Sequence, residues 1–528
     1  MSSESSDQPE VHTSNVVWLD GKQASAQAVL QLAPQDNVAV ALRTLKTGDA
    51  VFEQSELACS ERITKGHKVA LSDIAAGERV IKYAQLIGVA SCDILAGQHV
   101  HTHNVSFTSS DASLSPHTEV AQVDVQCSDS FEGYQRANGR VGTRNFIAVL
   151  SSVNCSATAA HRIASHFGDA ELASYNNIDG VAAFTHGTGC GMDSEGEGFA
   201  NLQRVLSGYA THPNVGGVLI VGLGCETSQI ADTLKAYKLA DGPLLRTMNI
   251  QTTGGHVKTI ARGVQIIEQM LDEVNAISRT TCPASALSLG LQCGGSDAWS
   301  GITANPALGH AADLLVKQGG RAVLAETPEI YGAEHLLTAR AVSQDVVDEL
   351  MQRIAWWEDY VEKNNGSLDN NPSPGNKLGG LTTILEKSLG AVAKGGTTPL
   401  AGVFRYAQRI TCPGFVFMDS PGYDPASVTG QIASGCNLMA FTTGRGSTFG
   451  SKPTPCMKIA TNTDMYQQLS DDMDVNAGTI VSDGKSVEEV GRHIYEQLLE
   501  IASGSQTLSE SHGLGDNEFV PWQIGAIM

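Results

Sequence analysis

The feature that most constrains this chain is a rhythm. Continuous apolar runs, "NFIAVLSSV", "GVAAFTH" and "VGGVLIVGLG", alternate with helix-patterned stretches such as "SATAAHRIASHF" and "GEGFANLQRVLSGYA". An apolar run without alternation needs cover on both faces, and a helix between successive runs supplies it, so the rhythm predicts an α/β region with a mainly parallel sheet. A second series begins after the turn "RTTCPAS", with "LSLGLQCGG", "RAVLAE", "GFVFMDSPG" and "NLMAFTTG" as strands and "SQDVVDELMQRIAWWEDYVEKN" among its helices. At 528 residues the chain exceeds what one core organises. We place one α/β region at 131–282 and a second at 283–528.

Upstream the pattern changes. Short alternating runs separated by Gly and Asp turns extend to about residue 107 and predict a small β domain over 15–107. A polar, Ser-rich tail (1–14) precedes it and a Ser/Thr/Asp-rich linker (108–130) follows. The last strand of this domain carries "HVHTHN". Side chains two apart share a face of an extended strand, so His99, His101 and His103 line up either as ligands for a divalent metal or as a solvated, His-rich strand end.

Charge narrows the function. With 56 acidic against 34 basic residues the net charge is -22, which argues against a nucleic-acid or anionic-membrane surface. No run of about 18 apolar residues is present, and the opening residues lack a basic segment followed by an apolar one, so a cytoplasmic protein is expected. In a reducing compartment eleven cysteines raise a metal or redox question and not a disulfide one.

Four of those cysteines follow predicted strands in Gly-rich turns: Cys155, Cys190 (beside His186), Cys225 and Cys293. Ligands of open α/β sheets bind outside the carboxyl ends of the strands, so four thiols could meet there around iron or an iron-sulfur cluster; alternatively each is a small buried hydrophobe. Three segments look built to hold an anion: "GYQRANGRVGTRNF" with Arg136, Arg140, Arg144 and Asn145; "NPSPGNKLGGLTTILEKS" with Asn371, Ser373, Asn376 and Lys377; and "FTTGRGSTFG" with Thr442, Thr443, Arg445 and Ser447. Ser296 and Asp297 sit in "QCGGSDAWSGITANP". Candidates for proton transfer are His67, the His99/His101/His103 group, His186, Asp297 and Glu226.

Taken together, "GHKVALSDI", "HVHTHN", "GYQRANGRVGTRN", "HGTGCG", "GLGCE", "QCGGSDAWSGITANPALG", "NPSPGNKLGGLTTILEKSLG", "FTTGRGS" and "EFVPWQIGAIM" resemble the altronate/galactarate dehydratase family, from about residue 36 to the end. The resemblance implies an α/β multi-domain fold, in which a small N-terminal SAF-like β-clip domain precedes two Rossmann-like, mainly parallel α/β regions. It also implies a hydro-lyase using Fe2+, mononuclear or in an iron-sulfur cluster, on a small-molecule sugar acid. Carried onto this sequence, the metal set is Cys155, Cys190, Cys225, Cys293 and His99. The catalytic set is His67, His101, His103, His186 and Asp297, and the substrate set is Arg136, Arg144, Asn145, Ser296, Asn376, Lys377, Thr443 and Arg445. "AETPEIYGAEHLLTARAV" and "WQIGAIM" resemble the altronate branch, which forms 2-dehydro-3-deoxy-D-gluconate. The alternatives are galactarate dehydration to 5-dehydro-4-deoxy-D-glucarate, or a non-catalytic sugar-acid sensor. No nucleic-acid or membrane partner is expected, and a homo-oligomer is left open.

Overall fold

A computed structural model describes residues 27–53, 55–108 and 123–525. The expected polar tail lies outside the described residues, as does most of the expected linker.

The N-terminal unit is built from short antiparallel strands in two small sheets. One runs in the order Val29–Leu30, Val38–Ala41, Lys68–Ala70, His99–Val100. The other is Arg79–Lys82, Gln85–Ala90, Val105–Ser106. Strands this short cannot close a core alone. Val29, Ala39, Leu45, Ile63 and Val69 form a local cluster, whereas Val80, Ile87, Val100 and Val105 belong to the same apolar core as Leu308, Leu389 and Val392 of the C-terminal region. Burial of that shared surface fixes the β unit on its neighbour.

The first α/β region is a four-stranded parallel sheet in the order Gly180–Phe184, Phe146–Ser151, Val215–Gly222, Leu245–Asn249. All six residues of Phe146–Ser151 are buried, which is why that run is continuously apolar up to its serine. Helices Ala157–Ala164 and His256–Asn275 cover one face, and Glu197–Ala210 the other.

The second is a seven-stranded parallel sheet whose order begins Leu400–Phe404, Gly414–Met418, Arg321–Leu324, Ser288–Cys293 and continues Leu438–Thr443, Cys456–Ala460, Val475–Asn476. The chain leaves Ser288–Cys293 toward one edge and later returns on its other side as Leu438–Thr443, making a topological switch point between these strands. The expected fold class is thus the observed one. Residue 282 lies in strand Thr280–Pro283, which pairs with Ser130–Gln135 in a small antiparallel sheet between the two regions.

Candidate active site

Backbone register brings the imidazoles together. Lys68 pairs with Val100 and Val69 with His99 across an antiparallel ladder, so His67 faces His101 one step beyond it. Potential ligand atoms of His67, His99 and His101 lie within 4.8 Å of one another. The third member is therefore His67, which immediately precedes the neighbouring strand Lys68–Ala70, and not His103. The strand ends at Val100, and the chain turns so that His103 is exposed, its ring centroid 5.2 Å from that of His99. Asn104 fixes this turn: its Oδ1 accepts from His101 N (2.9 Å) and its Nδ2 donates to His99 O (2.9 Å).

The hydrogen bonds set the tautomers. His67 Nε2 donates to Leu378 O (3.2 Å), which leaves its Nδ1 to accept from His99 Nε2 at 2.9 Å. His101 Nδ1 is buried without a partner among the described residues. Burial, followed by repulsion from neighbouring imidazoles and Lys68, pushes His99 down to about 4 and His101 down to about 3, and burial lowers His67 as well. Neutral imidazoles converging on one point, with an orphaned nitrogen among them, are the donor set of a divalent transition metal, and the residues present fit one.

Beneath the rings is a buried charge triad. Lys68 Nζ reaches Glu386 Oε2 at 2.9 Å, Lys82 Nζ reaches Glu386 Oε1 at 2.8 Å, and all three side chains are at most 1% exposed. Thr382 N and Oγ1 also donate to Glu386 (2.9 and 2.7 Å). Burial pushes this carboxyl up, but Lys68 and Lys82 outweigh it and hold it far below the usual carboxylate range. Two cations against one anion leave a positive field under the imidazoles, suited to an acidic substrate. The loop before His67 is held by close backbone approach: a Cβ on Gly380 (φ +102°) would come within 2.5 Å of Gly66 O.

The same seam meets the switch point of the second sheet. Ser296 and Asp297 follow strand Ser288–Cys293, Thr443 ends the adjacent strand, and Arg445 N donates to Gly295 O (3.0 Å). Asn376 Nδ2 donates to Ser296 O (2.8 Å), which carries the short helix Pro374–Leu378, and with it Lys377 and the Leu378 carbonyl, over to His67. Lys377 is half-buried and Arg445 exposed. Asp297 is 4% exposed and organises the loop, accepting from Trp299 N, Ser300 N, Thr461 Oγ1 and Asn462 Nδ2 at 3.0–3.2 Å. Thr443 is fully buried, its Oγ1 accepting from Gly446 N (3.1 Å).

A second cluster lies just below. Donor atoms of Cys293, Glu326 and Glu329 are within 4.8 Å of one another. Lys394 Nζ donates to Cys293 Sγ (2.8 Å), Cys293 Sγ donates to Glu329 Oε2 (3.3 Å), and Lys387 Nζ pairs with Glu329 Oε1 (2.6 Å). Among the described residues both carboxylate oxygens of Glu326 lack a hydrogen-bond partner, and its backbone is left-handed (φ 73°). Burial, then Glu329, pushes Glu326 well above the carboxylate range, and burial pushes the Cys293 thiol up to about 12. A void of about 10 Å³ lined by Tyr83, Cys293, Ser296, Glu386 and Lys387 joins this cluster to the charge triad.

The other cysteines stand elsewhere. Cys155, Cys190 and Cys225 are exposed on loops after three adjacent strands of the first sheet, interlocked by Asn154 N to Thr188 O (2.9 Å) and Ser228 N to Gly189 O (3.1 Å). Cys293 belongs to the second sheet, so the four thiols divide three and one. His186 has both ring nitrogens engaged, with Ser151 O (3.0 Å) and Thr188 N (3.2 Å). Glu226 is likewise engaged with Ser152 Oγ (2.7 Å) and Gly224 N (2.6 Å).

The first expected anion clamp is interior structure. Arg144 is 2% exposed, with Glu510 at 2.6 and 2.8 Å and the carbonyls of Thr143, Ile501 and Ser505 at 2.7–2.9 Å. Arg136 holds Pro213 O (2.7 Å) and Asn145 Oδ1 (2.9 Å), and Asn145 Nδ2 donates to Asn177 O (2.6 Å). Sequence reasoning passed over Lys68, Lys82, Glu326, Glu329, Glu386, Lys387 and Lys394. The available signals were a lysine inside the apolar run "HKVAL" and two lysines seven apart, on one helical face, in "LEKSLGAVAKGG".

A β unit bearing imidazoles, seated on the switch-point crevice of a parallel sheet where ligands of open α/β folds bind, defines the class of an α/β enzyme. Family models match three successive stretches: the altronate/galactarate dehydratase SAF domain over 27–108, the second domain of D-galactarate dehydratase/altronate hydrolase over 133–275, and the C-terminal domain of D-galactarate/altronate dehydratase over 284–527. The chain is 34% identical to altronate dehydratase of Bacillus subtilis (strain 168) over 481 residues, covering 90% of this chain and 95% of that protein. It is 35% identical to Escherichia coli (strain K12) altronate dehydratase over 481 residues, covering 90% and 95%. Against E. coli galactarate dehydratase (L-threo-forming) it is 36% identical over 492 residues, covering 91% and 94%. The chain belongs to the altronate/galactarate dehydratase family, and its activity is that of a lyase.

Proposed function

We propose that this chain dehydrates D-altronate to 2-dehydro-3-deoxy-D-gluconate in the crevice between the SAF imidazoles and the switch-point loops, as a cytoplasmic enzyme. The observation that carries the reading is the seating of His67, His99 and His101 against Leu378 and the loops of the second sheet, over the Lys68–Glu386–Lys82 triad. Among the described residues no helix is long and apolar enough to cross a membrane.

Dehydration removes a proton from C2 and the hydroxyl from C3, and the resulting enol tautomerises to the 2-keto-3-deoxy acid. The C2 proton is weakly acidic because the adjacent carboxylate is already charged, so the site must stabilise charge that builds on that carboxylate. In this reading Lys377 and Arg445 hold it, and the surplus positive charge of the triad adds to theirs. His103, exposed at the rim, accepts the C2 proton. Fe2+ held by His67, His99 and His101 would supply Lewis acidity toward the departing hydroxyl.

The test is anaerobic purification with iron and acid-labile sulfide analysis, followed by keto-deoxy acid release from D-altronate and from galactarate. Turnover of D-altronate with iron and without sulfide is expected, and His101→Ala should lose iron and at least about 100-fold in turnover. Retained turnover at unchanged iron content in that variant would sink the imidazole site. Preference for galactarate would replace the substrate, and saturable binding without turnover would make the protein a sensor.

A further inference from the structure

At the opposite end of the second sheet lies a cavity of about 480 Å³, lined from both α/β regions. Its walls include Ser288 and Arg321, the first residues of their strands, so it sits at the amino ends, away from the loops that carry Cys293, Thr443 and Arg445. Arg140 enters from the first region, and Arg321 and Arg409 from the second.

Among the described residues no Asp or Glu lines this cavity. The ion-paired arginines among the described residues are Arg43, Arg144, Arg204 and Arg246, so none of these three has a carboxylate partner. Each of the two inner ones is anchored through one edge, Arg140 Nη1 to Thr211 O (2.6 Å) and Arg321 Nε to Cys412 O (3.0 Å). Since a guanidinium has five N–H donors, most remain available. Burial, then the nearby Arg409 and Arg321, pushes Arg140 down to about 10, so the cluster is electrostatically strained as it stands. In a chain of net charge -22, uncompensated guanidinium groups at one cavity run against the global field. Such a cluster is relieved by a ligand that brings the missing negative charge, and the volume is that of a small-molecule site.

We propose that this cavity binds a small organic polyanion bearing two or three carboxylate or phosphate groups, bridged by Arg140, Arg321 and Arg409 across the junction of the two α/β regions. The site is separate from the dehydration crevice and does not depend on the reading given above.

The test is calorimetric titration of the full-length protein with citrate and with pyrophosphate at constant ionic strength, for the wild type, Arg409→Gln and Arg445→Ala. Arg409 is exposed, so its replacement removes charge without opening a core. The expected result is one saturable site for at least one probe, weakened about tenfold or more in Arg409→Gln and unchanged in Arg445→Ala, with the melting temperature of the unliganded variants intact. The probe that binds identifies carboxylate or phosphate as the recognised group. No saturable binding of either probe up to roughly 10 mM, equal binding by Arg409→Gln, or loss of binding only in Arg445→Ala would overturn the proposal.

Discussion

Residues of one type hold different offices here, and burial separates them. Arg144 was expected to grip substrate, yet its guanidinium is occupied by Glu510 and carbonyls. Arg144→Ala should therefore destabilise the protein by about 3 kcal/mol, because it leaves Glu510 without its partner, while KM of the folded fraction stays unchanged; urea denaturation with steady-state kinetics checks both. The imidazoles make a pH prediction. Folded His99 and His101 titrate near 4 and 3 against an ordinary value of 6.5, so the unfolded chain takes up protons first as pH falls. Their contribution to stability is whole above about pH 6.5 and is lost progressively toward pH 3. The melting temperature of metal-free protein should fall over that window, and His101→Gln should flatten the fall; an identical profile in the variant would refute the assignment. The spacing in "HVHTHN" grouped His99, His101 and His103, of which the structure keeps His99 and His101 and replaces His103. It could not reveal His67 as the third, because pairing register is a long-range property that a turn after Val100 settles.

Elements were more legible than contacts. Runs such as "FIAVLS" and "VGGVLIVG" announced buried parallel strands because helices on both faces demand apolar residues at every position. Lys68 and Lys82 were hidden by the same logic, since a lysine in a short strand reads as an exposed edge until its counter-charge is known. That counter-charge is Glu386, in helix Ile384–Val392. Glu386→Gln should cost about 3–5 kcal/mol, as expected when a buried ion pair loses one partner. Hydrogen exchange will show where: amides of Lys68–Ala70 and Arg79–Lys82 should exchange faster, and those of Phe146–Ser151 should not change.

Across the whole molecule the thiols report the division of the sites. Cys92, Cys127, Cys155, Cys190 and Cys225 are exposed, whereas Cys59, Cys282, Cys293, Cys436 and Cys456 are buried. A disulfide-exchange reagent should label the five exposed thiols rapidly in the native, metal-free protein, the half-buried Cys412 more slowly, and the buried five only on unfolding. Protection of Cys155, Cys190 and Cys225 after anaerobic iron and sulfide loading would place a cluster on the first sheet; unchanged labelling would leave the imidazoles as the metal site. The charge triad also sets a schedule for synthesis. Lys68 and Glu386 are 318 residues apart. At about 5–20 residues per second, roughly 15–60 s pass between the emergence of the lysine and that of its partner. Throughout that interval the nascent N-terminal domain must hold open an apolar face with two cations at its centre, so its final closure waits for translation to deliver a helix from the far part of the chain.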